Sequence, residues 1–322
     1  MEHTLTPVYE LAISMRTSWQ AHSLSNAGNN GSNRLLPRRQ LLSTGVETDA
    51  CSGNIAKHYH AMLLAEYLEE QGVLLCAACA ARDGRRAAAL VGHPGYVGLT
   101  MDSILNGCGL CDAHGFLVTA KNERGPDGPA ARQRLSKHSL IEFSFALALP
   151  GRQQETVQLM TRVGDSKEDG QMLMKMPSRS GEYAWNIRYK AVGIGIDTDK
   201  WTVKITDQAQ RLQRHRAILS ALRDQVLSPS GALTATMLPH LVGVVGAIVI
   251  RTTTGRASLY SALENDFITR LQGLQIADQH VIAFDGIDDF SVKIGELIMS
   301  SYPCFPSVYQ VPEMIEHAKE GK

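Results

Sequence analysis

A chain of 322 residues that is 44% hydrophobic can bury a sizeable core, as one large domain or two modest ones. Lysine plus arginine and aspartate plus glutamate balance at 32 each, which excludes a globally basic nucleic-acid or membrane binder and turns attention to local patches. The opening MEHTLTPVYE lacks the basic start and apolar centre of a signal peptide, and the longest apolar run, Leu241 to Ile250, is about half of what spans a bilayer; a soluble, cytoplasmic protein is expected.

In chain order, VYELAISMRTSWQ alternates with period two: Tyr9, Leu11, Ile13, Met15 and Trp19 on one face, Glu10, Ser14, Arg16 and Ser18 on the other. This predicts a strand with one buried face. The loop GNNGSNRLLPRRQ follows, then SGNIAKHYHAMLLAEYLEEQG, whose Ile55, Tyr59, Met62, Leu63 and Tyr67 form a helical stripe that Ser52 caps and Gly72 stops. Residues 73 to about 136 change character, with alanine-rich stretches, glycines and a loop-like NERGPDGPAARQR, and read as an insertion.

Strands return in SLIEFSFALAL, where Ile141, Phe143, Phe145, Leu147 and Leu149 alternate before a Pro150-Gly151 turn. ETVQLMTRV, GDSKEDG and QMLMKM have the form of an exposed hairpin, and EYAWNIRYKAVGIGI puts Tyr183, Trp185, Ile187 and Tyr189 on one face. The helix from Asp207 is expected to bury Leu212, Leu219, Leu222 and Val226 and to leave Arg211, Arg214 and Arg223 outside. HLVGVVGAIVIRTT reads as a buried strand, followed by a helix at about 257 to 273, the strand VIAFD and a helix at about 288 to 300. Long strand-to-strand stretches favour α+β over a doubly wound sheet.

Cys76-Ala-Ala-Cys79 and Cys108-Gly-Leu-Cys111 are two C-x-x-C pairs 28 residues apart. Four thiolates suit a closed tetrahedral shell, which is a structural zinc site. Redox-active dithiols and coincidence are the other readings of this spacing, and His114 and His93 are spare ligands. Cys51 and Cys304 read as small buried residues.

Between Leu11 and Val46 there is no acidic residue, yet Arg16, Arg34, Arg38 and Arg39 fall there. Arginine beside asparagine and glycine offers forked donors, amides and close backbone N–H groups to a phosphate, and a solvated basic loop is the plain alternative. Ser52, Gly53 and Asn54, with Lys57 and His58 in the first turn, would place a helix N-terminus and a cation together. The segment QMLMKM breaks strict alternation, so Met172, Leu173, Met174 and Met176 are either projecting or packed on both faces. No P-loop, dinucleotide fingerprint or nucleophile elbow is present, and no catalytic zinc motif. Glu47 and Asp49 are carboxylates beside the anion site; they either assist phosphodiester cleavage or satisfy loop N–H groups and the arginines.

The ordered set SNAGNNGSNRLLPRRQ, TDACSGNIAKHYHAMLLAEY, FSFALALP, DGQMLMKMPSRSGEYAWNIRY and LPHLVGVVGAIVI resembles the backbone subunit of type I CRISPR Cascade complexes, the Cas-seven or DevR-type autoregulator family, over about residues 7 to 255. The resemblance implies an RNA-recognition-motif-like (ferredoxin-like) antiparallel palm, a helical insertion and a projecting β-hairpin thumb. The corresponding division is 1–72 for the first part of the palm, 73–136 for the insertion, 137–196 for palm strands with the thumb at about 150–178, and 197–322 for the rest of the palm and the C-terminal helices.

It also implies a non-enzymatic component of antiviral defence that polymerises along crRNA, with target DNA met through the guide. Further implied partners are the large subunit, a five-type cap subunit, a six-type processing nuclease and a recruited effector. Carried over by position, Asn26, Asn33, Arg34, Arg38 and Arg39 line the guide; Ser52, Asn54, Lys57 and His58 meet a phosphate; Gln171, Met172 and Leu173 lie in the thumb. The double C-x-x-C is no hallmark of the family, so its zinc reading rests on spacing. Type III relatives cut RNA with a palm aspartate, but their glycine-rich motif is not seen around Asp49. A guide-directed ribonuclease using Asp49 and a zinc-stabilised DNA-binding regulator are the rival functions.

Overall fold

The alternation that begins near Tyr9 produces the strand Glu10–His22 (β1). The computed structural model describes residues 5–30, 33–91, 99–121, 132–162 and 172–306. After β1 come strands Arg38–Leu41 (β2) and Val46–Cys51 (β3), helix Gly53–Glu70 (α1), the short helices Ala77–Ala80 (α2), Met101–Gly107 (α3) and Gly109–His114 (α4), and the paired strands Phe116–Lys121 (β4) and Arg132–Lys137 (β5). Long strands Ala146–Arg162 (β6) and Met172–Tyr189 (β7) precede helix Gln208–Leu227 (α5), strand His240–Arg251 (β8), helix Phe267–Gly273 (α6), strand Gln279–Asp285 (β9) and helix Ile287–Ser300 (α7).

The main sheet runs β9-β8-β1-β7-β6-β3-β2, with Ile141–Phe143 pairing to β7 off this path. Every neighbouring pair is antiparallel, so the α+β class holds and the sheet is antiparallel. The expected single strand from Leu140 to Leu149 is broken at Ser144, where Ser144 N donates to Asn186 O (3.0 Å) and Asn186 N to Ser144 Oγ (2.8 Å).

One face of the sheet carries Leu11, Ile13, Met15, Trp185 and Ile187 against Leu64 and Leu68 of α1, Ile218 and Leu222 of α5, and Ile294 of α7. The other face was expected to be polar and open along β1, but it is covered. Ala12, Ala184, Ala247 and Val249 pack on Ala257, Ala262, Phe267 and Leu271. The polar residues of β1 are satisfied by that covering segment: Glu10 Oε1 accepts from Ala257 N (3.0 Å), Ser14 Oγ from Tyr260 N (3.3 Å), and Arg16 Nε donates to Ala262 O (2.6 Å) and Nη2 to Glu264 O (3.0 Å). Only Phe267–Gly273 of the expected 257–273 helix forms, and the residues before it serve as this covering segment, with backbone groups bonded to Glu10, Ser14 and Arg16.

Two helical faces also differ from their pattern. On α1 the buried residues are His60, Ala61, Leu64, Ala65 and Leu68, while Ile55, Tyr59, Met62, Leu63 and Tyr67 are only half-buried. On α5, Arg211 and Arg214 are inside. Their partners come from remote segments: Arg214 Nη1 donates to Asp112 Oδ2 (2.7 Å) and Leu105 O (2.9 Å), and Arg211 Nη2 to Cys304 O (2.6 Å) with its guanidinium over Phe305. Asp112 also receives Lys137 Nζ and Gly195 N (2.9 Å). Burial pushes the Asp112 carboxyl up, but Lys137 and Arg214 outweigh it and hold it below the usual range.

Among the described residues, β6 beyond Gln153 pairs only with β7, in the register Gln153↔Gly181 to Arg162↔Met172. Residues 154–159 are exposed, Met174 is half-buried and Met176 is buried. No helix among the described residues is long and apolar enough to cross a membrane.

Burial holds the imidazoles of His22, His60 and His215 at about 3, 4 and 3. Because the unfolded chain takes up these protons near pH 6.5 and the folded chain does not, stability is full above that pH and is lost as pH falls toward 4. Calorimetric melting between pH 7 and 4 should show a drop of more than about 5 °C. A melting temperature flat across that window would contradict the buried neutral histidines.

Candidate nucleic-acid interface and cysteine cluster

The acid-free segment leaves β1 and folds back on itself. Ala27 N donates to Leu35 O (2.8 Å) and Leu35 N to Gly28 O (3.0 Å), with Gly28 at φ 106°, a backbone region that glycine enters freely. Asn29 pairs with Arg34 and Asn30 with Asn33 through the backbone. Gln171 lies outside the described residues, and so do the side chains of Asn33, Arg34, Met172 and Leu173. Asn26 is half-buried. Arg16, counted in the local charge of this stretch, is buried beneath the sheet and takes no part in its surface.

Arg38 and Arg39 open β2, opposite Asp49 and Thr48 of β3, and both are exposed. Arg38 Nη2 meets Glu155 Oε2 at 2.6 Å. Arg39 lays its guanidinium over Phe145 (4.3 Å) and donates to Arg38 O (2.7 Å). An exposed pair such as Arg38–Glu155 contributes at most about 1 kcal/mol, so a phosphate can replace the carboxylate at little cost.

Ser52 is the N-cap of α1, its Oγ accepting from Asn54 N (3.2 Å). Gly53 is required next, because a Cβ there would strike Phe143 O and Ser144 O. Asn54 and His58 are exposed, the latter edge-on to Tyr59, and Lys57 is half-buried. Burial, then Arg86, holds the Lys57 ammonium below its usual range. The helix start and the basic segment are tied together by Ser25, whose Oγ accepts from Ser52 N (3.3 Å) and whose carbonyl accepts from Arg179 Nη2 (2.7 Å).

Asp49 sits at the centre of this knot. It is 6% exposed, and its carboxylate takes Arg179 Nη1 on one oxygen and Tyr183 OH (2.6 Å) on the other. Tyr183 OH in turn meets His22 Nε2 (3.0 Å). The expectation that Asp49 pairs with an arginine holds, but the arginine is Arg179 from β7. Arg179 escaped sequence reading because an arginine in SRSGEY carries no sign of burial. Cys51, beside this pair, is an inert buried thiol pushed up to about 12.

In the insertion, α2 and α4 bring Cys76, Cys79, Cys108 and Cys111 together, all buried, with sulfurs within 4.8 Å of one another. The Sγ–Sγ distances from Cys111 to Cys79 and Cys76 are 3.6 and 3.9 Å. Tetrahedral bonds of about 2.3 Å place sulfurs about 3.8 Å apart, so the cluster has the size to hold a metal ion. His114 does not join the four sulfurs in the cluster; its Nε2 meets His60 Nδ1 at 2.8 Å on α1. His93 lies outside the described residues.

The profile of the family described as CRISPR-associated negative auto-regulator DevR/Csa2 matches residues 13–265. The chain belongs to the DevR/Csa2 family. No curated protein matches it. Among solved structures, a chain of a "CRISPR RNA-guided surveillance complex, pre-nicking" aligns with TM-score 0.50 and 14% identity, covering 89% of this chain and 99% of that one. A chain of a "CRISPR RNA-guided surveillance complex" aligns at 0.47 and 14%, covering 96% and 99%, and Csc2 of Thermofilum pendens at 0.38 and 12%, covering 98% and 91%. At these identities the first likeness is one of fold, and the DevR/Csa2 match carries the assignment.

Replacing Asp49 with alanine strands a buried guanidinium and should cost about 3–5 kcal/mol of stability. Urea unfolding of Asp49→Ala reads this directly, and an unchanged midpoint would contradict the buried pair.

Proposed function

We propose that this DevR/Csa2 protein is the guide-RNA-binding backbone subunit of a type I CRISPR surveillance complex, coating crRNA in several copies and leaving its bases able to pair with target DNA. In this reading the antiparallel sheet is an RNA-recognition-motif-like palm and the β6–β7 ribbon is the thumb. The observation that carries it is the acid-free segment ending in exposed Arg38 and Arg39, tied through Ser25 to the capped start of α1. Forked guanidiniums, the Asn54 amide and a helix N-terminus then face one backbone. Family membership and the fold likeness to a surveillance-complex chain support the same reading.

The protein acts without catalysis. Asp49, the carboxylate a ribonuclease would use, has both oxygens engaged by Arg179 and Tyr183. That engagement, at 6% exposure, supports a structural role for Asp49 over a catalytic one. The four cysteines hold a structural zinc, whose four bonds would tie the start of α2 to α4. The complex works in the cytoplasm with the other Cascade subunits and a recruited effector.

Purified protein should carry short RNAs of uniform length. Changing Arg34, Arg38 and Arg39 to alanine should weaken binding to all sequences alike and lower the slope of log affinity against log salt by about two. Equal RNA retention at moderate salt would remove these arginines from the interface. A nucleic-acid-free dimer that shifts one specific duplex would favour the DNA-binding regulator, and product from complementary RNA that disappears in Asp49→Asn would favour the nuclease.

Metal analysis should give about one zinc per chain, lost in Cys76→Ser with Cys108→Ser. Freshly purified protein without metal would refute the zinc site.

A further inference from the structure

Beside the cysteine cluster the insertion holds a cavity of about 280 Å³, and Cys76 and Cys108, one from each C-x-x-C pair, stand in its wall. The rest of the wall is apolar, with Leu90, Leu99 and Ile104 in it; Ser103 supplies its one hydroxyl, and no charged side chain among the described residues lines it. Leu74 also lines it and is 66% exposed, so the space reaches the surface.

The four sulfurs are therefore shielded unevenly. Cys79, Cys108 and Cys111 are fully buried, whereas Cys76 is 9% exposed. Cys79 and Cys111 have no part in the cavity wall. Packing decides which thiolate of such a cluster is oxidised, because the thiolate is the reactive form and access limits its rate. The cavity is several times the ~30 Å³ that a water molecule occupies in the liquid, so a molecule of the size of hydrogen peroxide fits. Its apolar wall penalises a charged reagent, which would shed water there without finding a partner.

We propose that Cys76 is a site of reversible oxidation by small neutral peroxides, with Cys111 as the resolving thiolate and loss of the zinc as the result. This rests on the structural zinc reading above. The Cys76 sulfur attacks one peroxide oxygen; an S–O bond forms, the O–O bond breaks and hydroxide leaves, giving a sulfenic acid. Cys111 Sγ, 3.9 Å from Cys76 Sγ, then attacks that sulfur; the S–S bond forms, the S–O bond breaks and a second hydroxide leaves. Two thiolates have given two electrons to one peroxide, and only Cys79 and Cys108 are left to ligate. The disulfide joins the start of α2 to α4, the same elements the cluster joins, so a dithiol reductant and zinc restore the starting state.

The test follows zinc passed from freshly purified protein to a colorimetric chelator. Hydrogen peroxide should release about one zinc per chain, and dithiothreitol with zinc should return it. Peptide mapping after thiol alkylation should find the Cys76–Cys111 disulfide. Glutathione disulfide, which is large and anionic, should release about tenfold less in the same time. Gly107 lines the cavity at the end of α3, and a Cβ there meets nothing within 4 Å. Gly107→Phe should therefore fold, as thermal melting checks, and by obstructing the cavity should slow peroxide-driven release about threefold or more. Zinc retained under peroxide, a disulfide mapped to other cysteines, or release from folded Gly107→Phe as fast as from the unaltered protein would overturn the inference and leave the zinc site standing. Fresh protein that holds no metal would remove both.

Discussion

The Asp49–Arg179 pair is the constraint on which the functional end of the molecule depends. Two charges buried together need each other, because removing either leaves the other without water or partner. Through this pair β3 is tied to β7, and Arg179 reaches on to Ser25, which holds the start of α1. With Asp49 paired to Arg179 and Tyr183, the outward arginines set the local charge at this edge of the sheet. Arg38 and Arg39 can therefore present donors above a floor that is electrically quiet.

A second buried carboxylate plays the matching part in the insertion. Asp112 follows Cys111 on α4 and gathers Lys137, Arg214 and the Gly195 amide. Two residues further on, His114 reaches His60 on α1. The short helix α4 thus joins the cysteine cluster to both long helices behind the sheet. A metal bound there would anchor a six-residue helix that has little propensity to persist alone.

What could be read from sequence was what periodicity and local spacing encode. The alternation in β1 and in Tyr183, Trp185, Ile187 and Tyr189 marked strands that the structure buries, and the two C-x-x-C pairs do converge. The Ser52 cap was legible because it depends on residues within a few positions. Where a partner lay far along the chain, the pattern misled. Arg211 and Arg214 read as surface residues because Asp112 and Cys304 are remote in sequence. Arg16 read as part of a basic patch because the carbonyls that absorb it come from 262 to 264. Arg179, the partner of Asp49, was missed for the same reason. An arginine's burial is set by its acceptor, and the acceptor is a tertiary fact.

The strand order has a consequence for how the protein is made. β1 leaves the ribosome long before its neighbours in the sheet, β7 and β8, which begin at Met172 and His240. Until those arrive, thirteen residues of strand with one strongly apolar face have nothing to pair with. Closing such distant contacts is slow, and an unpaired apolar edge invites association with other chains in the interval. The run without acidic residues that directly follows β1 adds a cluster of like positive charges to that nascent segment, so mutual repulsion between chains, or early capture by a polyanion, bears on its survival before the sheet is complete.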